Sequence, residues 1–190
     1  MTPARGRPRD PRADDRIAGA ALELLREQGP GGVHIDAVAI RAGVARTTVY
    51  RRYRDRGALL AAALGLLVEE PFPAREAPLG DKLRWLLEQA LDLVDKQLGR
   101  GAVAAVLADS DPAFSAALRA HLVRHLEALQ GEIDADIEAG RVRADTDGEA
   151  LADLALGAYL AQLLRLGHPR KGWGDKTVAL LVHGTDPAPG

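Results

Sequence analysis

The segment from residue 35 to residue 56, IDAVAIRAGVARTTVYRRYRDR, has the pattern of a helix-turn-helix. A short apolar stretch comes first, and Gly43 follows it at a position where a left-handed backbone costs little without a side chain. The second stretch is rich in Arg, Thr and Tyr. This arrangement limits the segment to two short helices joined by a tight turn, with the second helix strongly polar on one side.

The second helix of this pattern has two chemically different faces. At 100° per residue, a helix that places Val49 inward also turns Tyr53 inward, one turn further on. Thr47 and Arg51 then point in the opposite direction, where Thr can contact a base edge and Arg can bind guanine through two parallel hydrogen bonds. The pattern therefore predicts a helix that reads duplex DNA. The flanking side chains predicted to bind phosphate oxygens are Thr48, Tyr50, Arg52 and Arg56.

Positive charge is concentrated at the amino-terminal end of the chain. Residues 1–56 contain 12 Arg and no Lys against 7 acidic residues, a net charge of +5, whereas the remainder carries −7. Residues 4–9, ARGRPR, form a cationic arm that can enter a minor groove, with a solvated terminus as the alternative. A basic end on an acidic body is typical of a DNA-binding module joined to another domain. The complete predicted DNA-binding set is Arg5, Arg7, His34, Arg46, Thr47, Thr48, Tyr50, Arg51, Arg52 and Arg56.

Composition excludes several classes of protein. With 190 residues, 47% of them hydrophobic, the chain can bury a substantial core. The absence of cysteine excludes disulfides, thiolate nucleophiles and Cys-ligated zinc. The longest apolar run, residues 58–68, is much shorter than the roughly 20 residues of a membrane helix, and the arginine-rich start lacks the apolar stretch of a secretion signal. These features predict a cytoplasmic protein that does not associate with membranes.

Helical periodicity continues beyond the basic segment, and no segment alternates with the period of a strand. A helix is predicted from Asp55 to about Glu70, and Pro71, Pro73 and Pro78 end it within a loop. We therefore predict an all-α fold of about nine helices that begins with a three-helix helix-turn-helix domain. The later periodic apolar positions are Leu83, Leu87, Ala90, Val94 and Leu98, followed by Phe114, Leu118, Leu122, Leu129, Ile133 and Ile137.

The carboxy-terminal helices predict a homodimer. Residues 175–183 are apolar nearly all round, so this helix must be buried on more than one side. The helix predicted over residues 147–166 carries Gly157, Ala158 and Ala161 on neighbouring turns, and these are small enough to let a partner helix approach. A four-helix bundle formed by two subunits satisfies both requirements. Such a dimer would place its two reading helices about 34 Å apart and would favour a roughly palindromic site.

The stretch from Arg16 to Leu60 carries small and aromatic residues at a characteristic spacing: Ala20, Ala21, Gly29, Ala39, Gly43, Val44, Tyr50, Tyr53 and Leu59. In these residues it resembles the amino-terminal domain of the tetracycline-repressor-like (TetR) family of bacterial regulators. Two positions depart from the family's pattern, because Ala45 and His34 stand where hydroxyl residues usually cap the two helices. Losing a hydroxyl cap costs about 1 kcal/mol, which weakens each helix start locally.

The body resembles the family's ligand-binding and dimerisation region in helix order and in residues 140–160, GRVRADTDGEALADLALGAYL. The resemblance implies an apolar pocket among the middle helices, whose small-molecule ligand changes the separation of the two reading helices. It also implies a transcriptional repressor that the ligand releases from a palindromic operator, without a cofactor. We expect a DNA-binding domain in residues 1–56 and a ligand-binding and dimerisation domain in residues 57–190. The implied ligand-binding side chains are Trp85, Gln89, Phe114, His121 and His125.

Two alternatives to this function remain open. A body that binds no ligand would make the chain a constitutive repressor or an architectural DNA-binding protein. His121 and His125 are spaced i, i+4 and could chelate a metal in an all-helical enzyme, but metal sites usually need three or four protein ligands. The sequence contains no Walker-type phosphate loop, no HExxH and no serine in a nucleophile elbow. We therefore predict that the chain is not an enzyme and holds no metal.

Overall fold

The computed structural model describes residues 11–67 and 71–185, which form nine α-helices and no strand. The predicted all-α fold with an amino-terminal helix-turn-helix is confirmed. None of the helices in the described ranges is long and apolar enough to span a membrane. The predicted DNA contacts Arg5 and Arg7 lie outside the described residues. The elements are α1 Pro11–Gln28, a 3₁₀ turn Pro30–Gly32, α2 Ile35–Ala42, α3 Arg46–Arg52, α4 Arg56–Leu64, α5 Leu79–Asp92, a π-helical segment Leu93–Leu98, α6 Arg100–Leu107, α7 Pro112–Glu138, α8 Gly148–Leu166 and α9 Trp173–His183.

The described residues group into two compact units. The head unit contains residues 11–67 and 97–121, and the body unit contains residues 71–96 and 122–185. This grouping differs from a single cut after Arg56, because two later segments of the chain belong to the head unit. The division into a DNA-binding and a ligand-binding domain at that residue stays a prediction about function.

α1 and α4 form the centre of the head unit. Ile17 and Ala21 lie one turn apart on α1 and are fully buried, as the apolar periodicity of this helix requires. α4 packs against α1 and buries Leu59 and Leu60 completely. Because α1 also packs against α2, the residues just after Arg56 share a core with the helix-turn-helix.

The second segment of the head unit is joined to the first by specific contacts. Arg26 on α1 donates from Nε to the main-chain oxygen of Gln97 at 3.0 Å. Phe114, in the first turn of α7, is fully buried. α7 contributes residues 112–121 to the head unit and residues 122–138 to the body unit, so one continuous helix belongs to both.

Two predicted helices end earlier than expected. α4 ends at Leu64 rather than near Glu70, because the chain tightens at Gly65 and Leu67 donates its N–H to the carbonyl three residues back. The apolar periodicity from Leu83 to Leu98 does not form one α-helix, since α5 gives way to the π-helical segment after Asp92. Spacing of apolar residues alone does not distinguish these locally altered turns from regular helix.

In the body unit, α5, α8 and α9 pack against one another. Tyr159 on α8 and Trp173 on α9 place their ring centroids 6.1 Å apart, and both residues are buried. Asp147 caps α8 by accepting a hydrogen bond from the N–H of Ala150 at 3.1 Å. Gly140, with a φ of 70°, follows the end of α7. The sequence predicts both of these helix ends, because each depends only on neighbouring residues.

A buried ion-pair cluster connects α5 with α7. Lys82 is completely buried, and its Nζ donates to Asp136 at 3.0 and 3.1 Å and to Glu132 at 3.2 Å. Arg141 also donates to Asp136, at 2.6 Å. The main-chain oxygen of Arg75 accepts a further hydrogen bond from Lys82 at 3.0 Å. These contacts supply the partners that a buried ammonium and a buried carboxylate require.

Candidate nucleic-acid interface

The turn between α2 and α3 has the geometry that the sequence predicts. Gly43 ends α2 in the left-handed region, at φ 64° and ψ 38°, where a Cβ would be strained. The N–H of Val44 returns to the carbonyl of Ala39 at 3.0 Å and closes the turn. Val49 is fully buried and Tyr53 is half-buried, so the predicted inner face of α3 is confirmed.

The opposite face of α3 is exposed. Thr47 and Arg51 both lie at the surface, and Tyr50 beside them is 56% exposed. Arg46 is exposed in the first turn, where its Nε lies 2.5 Å from Asp36 on α2. The predicted reading strip is therefore accessible, and it carries hydroxyl, phenol and guanidinium groups that can donate to bases or phosphates.

The starts of α2 and α3 lack hydroxyl caps, as the two departures in the sequence indicate. His34 and Ala45 occupy the N-cap positions, and within the described residues neither side chain bonds to its helix. At the start of α3 a backbone contact partly compensates, since the N–H of Thr48 in the first turn binds the carbonyl of Ala45 at 2.8 Å. In α2 the N–H of Val38 makes the ordinary first helical bond to the carbonyl of His34 at 3.0 Å. His34 is exposed and Thr48 is half-buried.

Arg52 has a different environment from the one predicted. Its side chain is only 6% exposed, and its Nη1 donates to Asp14 on α1 at 2.8 Å. This ion pair holds the last turn of α3 against α1. The guanidinium is directed at Asp14 of the same chain, and a phosphate contact by Arg52 stays a prediction from the sequence.

Arg56 is also directed inward. Its guanidinium binds both oxygens of Asp111, at 2.6 and 2.7 Å, and donates to the main-chain oxygens of Val33 and Pro30. The side chain is 28% exposed. These four bonds involve all three nitrogens, and a phosphate contact by Arg56 stays a prediction from the sequence.

Other exposed cations in the head unit were not included in the sequence-based set. Arg54 is 88% exposed just after α3, and it pairs with its neighbour Asp55 at 2.9 Å. Arg12 and Arg16 are exposed, one turn apart on α1. Their i, i+4 spacing on one face of a helix was the signal available in the sequence.

The five predicted ligand-binding residues are divided between the two units. Phe114 and His121 lie in the head unit and are buried. Trp85, Gln89 and His125 lie in the body unit, where the Trp85 ring stacks on His125 with centroids 6.2 Å apart. The ring of Phe72, which is outside the predicted set, contacts the Trp85 ring edge-on, with the two ring centroids 4.7 Å apart.

The body unit also has an open groove of about 800 Å³ between α7 and the start of α8. Its lining includes Val123, Leu126, Gln130 and Thr146 and contains none of the five predicted ligand-binding residues. Within the described ranges, no group of three or more His, Cys, Asp or Glu side chains is arranged to hold a metal ion.

Comparison with known proteins decides the family. The family model of bacterial regulatory proteins, tetR family, matches residues 17–63. An HTH-type transcriptional regulator of Mycobacterium tuberculosis is 31% identical over 181 residues, which cover 92% of this chain and 86% of the relative. The chain belongs to the TetR family. As a TetR-family protein it is a DNA-binding transcriptional regulator.

Solved structures with the same fold include two TetR-type regulators. One, from Agrobacterium tumefaciens, has a TM-score of 0.68 at 21% identity and covers 95% of this chain and 97% of its own. The other is the transcriptional regulator FadR from Bacillus subtilis in complex with stearoyl-CoA, with a TM-score of 0.61 at 18% identity and coverage of 90% and 98%. At these identities the likeness concerns the TetR fold.

Proposed function

We propose that this TetR-family chain is a homodimeric repressor that binds a roughly palindromic operator and leaves it when a small molecule binds. The observation that carries the proposal is the exposed strip of Thr47 and Arg51 on α3, opposite the buried Val49. A short helix that presents these groups after a tight turn fits the major groove of duplex DNA.

The residues proposed to contact DNA differ from those predicted from the sequence. Thr47 and Arg51 read bases, while other exposed residues of the helix-turn-helix bind the phosphate backbone. Arg52 and Arg56 are left out because their guanidinium groups bind acidic partners and their side chains are only 6% and 28% exposed. Arg46 and Arg54 also pair with carboxylates, but their side chains are 62% and 88% exposed. The proposed phosphate-binding residues are His34, Arg46, Thr48, Tyr50 and Arg54, with Arg5 and Arg7 as predicted from the sequence.

Changing Arg51 to Ala should weaken operator binding by about 1 to 3 kcal/mol and relax the preference at one base position of each half-site. The operator is first selected from a random pool of duplex DNA with the wild-type protein. Fluorescence anisotropy on that operator and on its single-base variants then measures affinity and preference. Arg75→Ala removes an exposed arginine from the segment before α5, outside both the helix-turn-helix and the proposed subunit contact, and serves as the control. Equal losses on all base variants would contradict a reading role for Arg51.

An exposed apolar stripe on α8 supports the homodimer. Leu154 and Leu164 are 60% and 87% exposed in the single chain, and Gly157 and Ala161 lie between them on the same face. On α9, Leu180 is 78% exposed. Large apolar side chains at such exposure are unfavourable in water, and a second copy of the chain would bury them.

Changing Leu164 to Glu should convert the dimer into monomers at micromolar concentration, because it places a charge in the proposed helix contact. Light scattering after size-exclusion chromatography measures the mass. Leu107→Glu provides a matched control, since this leucine is 71% exposed on α6 and lies outside the stripe. A Leu164→Glu protein that stays dimeric would place the subunit contact elsewhere.

Ligand release is supported by the fold neighbour whose structure contains stearoyl-CoA. The test adds candidate small molecules, with stearoyl-CoA as the first probe, to the protein bound to its selected operator. A compound that releases the DNA at a saturable concentration supports a ligand-responsive repressor. Failure of a chemically broad panel would favour the constitutive alternative.

A further inference from the structure

We infer that Arg56 and Asp111 are positioning residues for operator binding, which hold the loop before α2 in place from the start of α7. The inference rests on the proposed function, because it concerns how the reading helix is oriented on DNA. It assigns a role to two residues that do not touch DNA in the proposal. All of the contacts that carry it lie within the head unit.

The Arg56 guanidinium connects three separate parts of the head unit. Arg56 itself is the first residue of α4. Its Nε donates to the carbonyl of Val33 at 2.5 Å, and its Nη2 donates to the carbonyl of Pro30. Nη1 and Nη2 bind the two oxygens of Asp111 at 2.7 and 2.6 Å. A single planar group thus fixes the turn before α2, the start of α4 and the start of α7 to one another.

The turn that Arg56 holds leads directly into the helix-turn-helix. Val33 is fully buried and is followed by His34, the N-cap of α2. Because this N-cap lacks a side-chain hydrogen bond within the described residues, the guanidinium contact supplies order that a hydroxyl cap would otherwise provide. A shift of this turn would move α2 and, through the closed turn at Gly43, the reading helix α3.

Asp111 is hydrogen-bonded both to Arg56 and to the backbone at the start of α7. Its Oδ1 accepts from the N–H of Phe114 at 3.1 Å and its carbonyl accepts from Ser115 at 2.8 Å, so it caps the 27-residue helix α7. The hydrogen bonds from Arg56 lower the pKa of the Asp111 carboxyl, and burial opposes this only in part. The Asp111 carboxyl is therefore ionised at neutral pH. Asp111 thus joins the guanidinium of Arg56 to the start of α7 within the head unit.

The experiment compares Asp111→Asn and Arg56→Lys with the wild-type protein on the selected operator, from 50 to 200 mM salt. Asn caps a helix as well as Asp does, so the first change removes the charge and spares the helix start. Lys keeps the charge but cannot form the four bonds of the planar guanidinium. We expect each variant to bind about tenfold more weakly at every salt concentration, with the salt slope unchanged.

A direct phosphate contact by Arg56 would give the opposite pattern. Asp111→Asn would then release Arg56, strengthen binding and steepen the salt slope by about two for a dimer, and Arg56→Lys would bind almost normally. Either result overturns the inference. Unchanged affinity in both variants, with lowered resistance to urea, would also overturn it, because the pair would then serve stability alone.

Three further measurements keep the result interpretable. The double variant should bind no more weakly than the weaker single variant, since both changes break the same contact. Asp147→Asn makes the same change at the cap of α8 and should leave operator affinity unaltered. Titration of each protein with operator at concentrations far above Kd measures the fraction of protein that can bind DNA, and each Kd is corrected for that fraction. Failure of the wild-type protein to select any duplex would reject the proposed function itself, separately from these variants.

Discussion

Raising the salt concentration from 50 to 200 mM should lower the affinity for the selected operator by about 10³ to 10⁵, if a dimer neutralises about six to ten phosphates. The physical cause is release of the cations condensed on DNA, which becomes less favourable as bulk salt rises. The head units of the two subunits together present enough cations to neutralise this number of phosphates. They are Arg12, Arg16, Arg46, Arg51 and Arg54, all of them exposed.

The salt dependence also tests individual residues. Arg54 is the most exposed cation next to α3, and removing it as Arg54→Ala should reduce the slope of log affinity against log salt by about two for a dimer. Thr47→Ala removes a neutral side chain and should leave the slope unchanged while lowering affinity. Anisotropy titrations at five or more salt concentrations measure both quantities. A slope near zero in the wild-type protein would contradict DNA binding through this surface.

Changing Asp136 to Ala should lower the free energy of unfolding by about 3 to 5 kcal/mol, the usual cost of removing one partner from a buried ion pair. Asp136 is almost fully buried and lies 3.0 Å from Lys82, which is completely buried. Without this carboxylate, the ammonium retains Glu132, which is partly exposed, and the carbonyl of Arg75. Urea denaturation followed by circular dichroism measures the change.

Two controls separate the ion pair from simple loss of a side chain. Asp134→Ala removes an exposed carboxylate from the same helix and should change the stability by no more than about 0.5 kcal/mol. The double change Lys82→Met with Asp136→Leu replaces both charges by apolar groups and should recover most of the loss. If Asp136→Ala is as stable as Asp134→Ala, the cluster does not stabilise the body unit.

The local chemistry of the chain was sufficient to predict the helix-turn-helix. Gly43, the buried Val49 and the exposed Thr47 and Arg51 follow from a turn residue and a 3.6-residue period, which act over a few neighbouring positions. The cap of α8 at Asp147 follows from equally local rules. These features need no information about distant parts of the chain.

The partners of several charged residues could not be predicted from the local sequence. Arg52 and Arg56 look the same in sequence as Arg51 and Arg54, yet the first two side chains are held inward by Asp14 and Asp111. Arg51 and Arg54 are exposed, and Arg54 pairs only with its neighbour Asp55. Nothing in the spacing of residues 82 and 136 indicates that they meet. Charge alone gives the sign of an interaction but does not select the partner.

The sequence by itself determined an all-α chain with a helix-turn-helix around Gly43, because periodicity and turn residues act between near neighbours. The TetR family was indicated by the resemblance of residues 16–60. Only the tertiary structure decided which arginine side chains of the head unit are exposed and which are held inward by acidic partners. It also decided that residues 97–121 belong with the amino-terminal helices. Both outcomes depend on contacts between residues far apart in the chain, which form only when the helices pack.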